Sequence, residues 1–120
     1  MKPLSLSLSL SLSAAAAMIV VGPRNADVPI GQSATFSCNI SAEPTPTVTW
    51  EFNGTEIVDG SKYNIMITSD VTTTTLTVSN LMVNDTGTYA CHVENVHGNE
   101  NSSADLTVQS KFYNYALCLM

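Results

Sequence analysis

Through its middle the chain alternates apolar and polar residues with the period of a β-strand, and no heptad run interrupts the pattern. Ser33 to Ile40 sets Phe36, Cys38 and Ile40 on one side and Thr35, Ser37 and Asn39 on the other. Val48, Trp50 and Phe52 alternate next. Asn53-Gly54 follows, the strongest hairpin signal in the chain, and turns it into a brief strand over Glu56 to Val58. Tyr63, Ile65 and Ile67 predict another strand, and Leu76 and Val78 with Leu81 a further one, preceded by a β-branched run, Thr72 to Thr75, that faces outward in part. Asn84 to Gly87 reads as a turn leading into Tyr89, Cys91 and Val93, and Ala104, Leu106 and Val108 close the series. Ahead of all these, Met18 to Val21 and Val28 to Ile30 make a first strand split by Gly22-Pro23.

Composition agrees with sheets. The 120 residues hold one domain of ordinary size, and 44% of them are hydrophobic against 12% charged. The formal net charge of -6 lacks the clustered Lys and Arg that nucleic acid requires, so no nucleic-acid partner is expected. No Ser, Cys or Thr stands with a His and an acid in the contexts that nucleophilic catalysis uses, and no glycine-rich phosphate cradle occurs. Neither an enzyme, a cofactor nor a small-molecule substrate is therefore predicted.

Both ends differ from the middle. Met1-Lys2, the Leu/Ser alternation of Leu4 to Ser13 and the run Ala14 to Ala17 read as a secretory signal peptide over residues 1–17, with cleavage near Ala16 or Ala17. The competing reading is a low-complexity arm or an edge strand, since strict Leu/Ser alternation has a strand's period. Residues 18–110 form the domain. The tail 111–120, with Phe112, Tyr113, Tyr115, Leu117 and Cys118, has no assigned role, and its apolar part is too short for a membrane span.

Cys38, Trp50 about a dozen residues later, Leu76, and Asp85-x-Gly87-x-Tyr89-x-Cys91 together resemble the immunoglobulin superfamily, its I-set in particular. Ala42 stands where that family usually has Gly. The resemblance implies an all-β sandwich of two antiparallel sheets joined by a Cys38–Cys91 disulfide across Trp50. Such a bridge closes a loop of about fifty residues and stabilises by roughly 4 kcal/mol on the chain-entropy account. Cys118 is then the odd cysteine, free or intermolecular. By the same resemblance Tyr89 is a tyrosine corner, a scaffold residue whose hydroxyl bonds to backbone upstream. Lys62 pairs with Asp85, an ion pair worth on the order of 1 kcal/mol at most when partly exposed.

What the resemblance implies for function is a secreted or cell-surface recognition or adhesion module that binds a protein partner, homophilic or not. The alternatives are a structural I-set spacer and a fragment of a larger receptor or matrix protein. Four sequons, at Asn39, Asn53, Asn84 and Asn101, support the secretory route. Asn39 points out from the sheet that holds Cys38, so a glycan there covers that face. On the opposite sheet Glu51, His92, Glu94 and Asp105 face outward, with no sequon expected in mid-strand, and form the candidate partner-binding patch. With no second histidine to complete a tight transition-metal set, the patch is not read as a metal site.

Overall fold

In the computed structural model of the chain, residues 14–110 are described; the leading segment through Ser13 and the tail from Lys111, including Cys118, lie outside them. The described strands are β1 (Ala15–Val21), β2 (Ala26–Pro29), β3 (Ala34–Glu43), β4 (Thr47–Phe52), β5 (Thr55–Glu56), β6 (Tyr63–Ile67), β7 (Thr73–Val78), β8 (Gly87–Asn95) and β9 (Gly98–Gln109). A single 3-10 turn, Val83–Asp85, precedes β8. The strands form a four-stranded sheet in the order β1-β3-β7-β6 and a five-stranded sheet in the order β2-β9-β8-β4-β5. All pairings are antiparallel except β2 with β9, which is parallel.

Alternation decides which side of each strand is buried. On β3 the residues Ala34, Phe36, Cys38 and Ile40 are buried and those between them exposed, and β8 buries Tyr89, Cys91 and Val93 in the same way. Trp50, Leu76, Val78, Leu81 and Leu106 complete the centre of the core. Tyr89 lies between Phe36 and Phe52, with ring centroids at 5.2 and 4.6 Å. The Asn53-Gly54 turn has positive φ at both residues, as a two-residue hairpin connection of this handedness requires. Gly87 is needed for space instead, since a Cβ there would come within 2.6 Å of the Phe52 ring.

The strand expected at Tyr63, Ile65 and Ile67 is present as β6, with Ile67 at its end 44% exposed. Two sequence expectations are corrected. The strand expected over Glu56 to Val58 is only Thr55–Glu56; Val58 is exposed, and Ile57 is the residue that turns into the core. The last strand starts at Gly98, well before Ala104. In the first half of β9 the inward side chains meet β1 rather than the core: Glu100 accepts from the Ile19 N–H, and Ser102 lies against Gly22. Cys38 and Cys91 face each other in the core at 3.4 Å, longer than the S–S bond that the resemblance implies. Their mutual hydrogen bond and burial push the Cys91 thiol far up from its ordinary value.

The first strand also begins earlier than expected. Ala15 pairs with Glu43, and Ala17 is buried in the core. Asn95 of β8 holds this end: its Oδ1 accepts from the Ala17 N–H at 3.1 Å, and its Nδ2 donates to the carbonyls of Ala15 at 2.8 Å and Pro44 at 3.1 Å. The cleavage position read from the sequence thus falls inside β1.

Candidate functional site

The outer face of the five-stranded sheet carries the patch singled out from the sequence, and register fixes its layout. Glu51 on β4 stands opposite Ala90 on β8 and, on its other side, opposite Glu56 on β5. Thr49, His92 and Asn101 form the next row across β4, β8 and β9, and Thr47, Glu94 and Asn99 the one after. Asp105 lies opposite Thr88, whose Oγ1 donates to its Oδ1 at 2.8 Å. Glu51, His92, Glu94 and Asp105 therefore share one face. Neither Arg24 nor Lys62 lies on its strands, so acidic groups dominate it.

His92 sits at the middle of this face. Its Nδ1 is hydrogen-bonded to Asn101 Oδ1, and its Nε2 lies 3.4 Å from Glu94 Oε1. The Asn101 carbonyl above all holds the imidazole above its ordinary value; burial opposes it, and Glu94 and then Glu51 add to the rise. Among the described residues no group of three or more His, Cys, Asp or Glu is placed to hold a metal ion.

Asn101 overturns one expectation. Because β9 begins at Gly98, this sequon lies within a strand, exposed and beside His92 on the very face read as free of sequons. The other three are also exposed. Asn39 is on the outer side of β3, opposite Val21 and Thr73. Asn53 occupies the hairpin and accepts the Thr88 N–H at 2.9 Å, and Asn84 is in the 3-10 turn.

Of the scaffold residues, Trp50, Tyr89 and Cys91 are on the inner side of β4 and β8, behind this patch, and the others are on other elements. Lys62 Nζ lies 2.6 Å from Asp85 Oδ2 and also donates to the Asn80 carbonyl at 3.0 Å. The Met82 N–H donates to the same carboxylate oxygen at 2.8 Å. The Tyr89 hydroxyl donates to the Asp85 carbonyl at 2.7 Å, and burial pushes its phenol well up. Cys38, Trp50 and Leu76 are wholly buried.

Two residues that organise the domain were not singled out from the sequence. Thr74 is fully buried and accepts the Trp50 indole N–H, and Asn95 is the clasp on β1. Thr74 was legible in principle, being two residues before the inward Leu76 and so on the same side. Asn95 had no such signal, because its partners are 51 to 80 residues distant in sequence.

The outer face of the other sheet is different in kind. Thr35, Ser37, Asn39, Thr73, Thr75, Thr77, Asn64 and Met66 make up most of it, all uncharged. Among the described residues no helix is long and apolar enough to cross a membrane.

Known proteins share this arrangement. Contactin-1 of Homo sapiens is 33% identical over 99 residues, a match covering 76% of this chain and 9% of that protein. Titin of Drosophila melanogaster is 37% identical over 87 residues, covering 72% of this chain and, to the nearest per cent, 0% of that protein. A third relative, "Probable oxidoreductase PXDNL" of Homo sapiens, is 34% identical over 92 residues, covering 76% of this chain and 6% of that protein. The chain thus spans less than a tenth of these curated relatives. Among solved structures, titin M4 superposes with a TM-score of 0.76 at 32% identity, covering 80% of this chain and 98% of that one. The family profile described as "Immunoglobulin I-set domain" matches residues 17–108, and this chain belongs to the immunoglobulin I-set family.

Proposed function

We propose that the domain is a non-catalytic extracellular recognition module that binds a basic protein surface through the outer face of its five-stranded sheet. The observation that carries this is the segregation of charge. Glu51, Glu56, Glu94 and Asp105 stand on one face, while the opposite face presents hydroxyls and amides. An acidic face speeds association with a basic partner at low salt and discourages acidic ones. The likeness to contactin-1 and the four sequons support an extracellular setting. In that setting the adjoining thiols of Cys38 and Cys91 are oxidised to the disulfide the family resemblance implies. Asn101 remains unmodified when the face is engaged, its amide turned to His92.

The test is a binding screen of the full chain, displayed as a multimer, against an array of secreted and cell-surface proteins. A partner whose binding weakens in Glu51→Lys/Glu94→Lys, with a flattened salt dependence, and persists in Thr75→Lys supports the reading. Loss in Thr75→Lys alone moves the site to the other sheet. The likeness to titin supports a second reading, a structural spacer. An intact Met1 on a cytosolic product with both core cysteines reduced would establish that one instead.

A further inference from the structure

β1 leaves β3 early, and Pro23 is the reason. Val21 is registered with Asn39, after which Gly22-Pro23-Arg24-Asn25 cross to β2 in the other sheet. Pro23 has no N–H to give to a ladder, so the pairing stops before it. The part of β3 that precedes Asn39 is thereby left as an edge. The Ile40 N–H bonds to the Thr72 carbonyl on the β7 side, and peptide groups alternate along an antiparallel pair, so those of Thr35 and Ser37 face away from β7. They have no hydrogen-bond partner among the described residues. An edge with free N–H and C=O groups pairs with another strand unless something covers it.

A groove of about 300 Å³, the size of a small ligand pocket, lies at this edge. Thr35, Ser37 and Asn39 of β3 line it together with Val21, Arg24 and Asn25. Arg24 is exposed and in no ion pair among the described residues. The Asn25 side chain is held in place, its Oδ1 accepting the Asp105 N–H at 2.8 Å, which leaves its Nδ2 as a donor. Asn39 heads the sequon Asn39-Ile40-Ser41. Its exposed amide differs from those of Asn53 and Asn101, which are engaged by the Thr88 N–H and by His92.

We propose that this groove seats the first N-acetylglucosamine of a glycan attached to Asn39, so that a sugar rather than a further strand covers the β3 edge. The inference rests on the extracellular reading above, because the glycan is added on the secretory route. The attachment point selects the occupant: a sugar bonded to Nδ2 of a groove-lining residue is held at the groove at high effective concentration. The chemistry of the lining suits it. Arg24 and Asn25 offer N–H donors to the acetamido carbonyl and the ring hydroxyls, and Ser37 offers a hydroxyl that can donate or accept. Val21, 48% exposed, gives the acetyl methyl an apolar surface. A sugar held in this way takes Thr35 and Ser37 out of free contact with water.

The test uses the full chain secreted from cells that make only high-mannose glycans, trimmed with an endoglycosidase that leaves the first N-acetylglucosamine on each occupied asparagine. Peptide mass spectrometry reads Asn39, where an added hexosamine is expected. Hydrogen exchange then compares this protein with Ser41→Ala, which removes the Asn39 sequon at an exposed position. The Thr35 and Ser37 amides should exchange at least about threefold faster in Ser41→Ala, with the amides in the centre of β8 unchanged. Arg24→Ala should remove most of that difference while the sugar stays attached, and thermal melts confirm that each variant folds. A secreted product with sugar at another sequon and none at Asn39 overturns the proposal and leaves the extracellular reading standing. So does an occupied Asn39 whose loss leaves exchange at Thr35 and Ser37 unmoved, or a difference that persists in full in Arg24→Ala. A cytosolic product without any sugar overturns both.

Discussion

Trp50 and Thr74 join the two sheets through the middle of the core: the indole N–H on β4 donates to the hydroxyl oxygen on β7 at 3.0 Å. The Thr74 hydroxyl in turn donates to the Met66 carbonyl on β6 at 3.1 Å. Both residues are fully buried, so neither has water as an alternative.

Thr74→Val, close to isosteric, leaves that indole N–H buried without an acceptor and should destabilise by about 1–3 kcal/mol. Urea unfolding followed by tryptophan fluorescence should show a lower midpoint with an unchanged slope. Thr74→Ser, which keeps the oxygen, should lose less.

Asn95→Ala removes the clasp on Ala15, Ala17 and Pro44 together with the bond from the His97 N–H. These bonds are partly solvent-exposed, so a loss of about 1–2 kcal/mol is expected in global stability. Hydrogen exchange discriminates further. The Ala17 amide should exchange much faster, while amides in the centre of β8 keep the protection set by global unfolding.

Asp85→Ala should be more damaging than Lys62→Met. The Asp85 side chain is 8% exposed and serves both Lys62 and the Met82 N–H, whereas Lys62 is 34% exposed and can reach water. About 2 kcal/mol is expected for the first change and under 1 kcal/mol for the second, after allowing for solvent screening at the ammonium. Equal losses would show that the pair, rather than the anchoring of the 3-10 turn, sets the value of this site.

His92 should titrate above the ordinary histidine value of about 6.5. With the folded value raised, its stabilising contribution is complete below the unfolded value and fades as pH rises through the folded one. An NMR titration of the His92 ring should place its midpoint above that reference, and Asn101→Ala should lower it, since the Asn101 carbonyl is the main cause. A midpoint unmoved by Asn101→Ala would transfer the effect to Glu94 and Glu51.

The strands that cross the core are the ones legible from sequence. Around Cys38, Cys91 and Leu106 every second side chain is buried, so hydrophobicity itself alternates. The first half of β9 is hidden because its inner side packs on β1 through Glu100 and Ser102, which no apolar period reveals. Thr74 shares the inward parity of Leu76, but its residue type does not mark it out, since half-buried threonines flank it on both sides. On the candidate face, outward direction followed from strand parity, which brought Glu51, His92, Glu94 and Asp105 together. The place of Asn101 did not follow, because it depended on where β9 begins.

The parallel pairing of β2 with β9 also fixes how the domain carries tension. Asn95 holds Ala15 and Ala17 at one end, and Pro29 and Gln109 are paired at the other. Pulling those ends apart drags β2 and β9 past each other along their length, so their ladder bonds are strained in parallel rather than opened one at a time. The four registered positions from Ala26–Leu106 to Pro29–Gln109 are thus loaded in shear. The core disulfide, once formed between β3 and β8, would limit how far the chain extends after that short ladder fails.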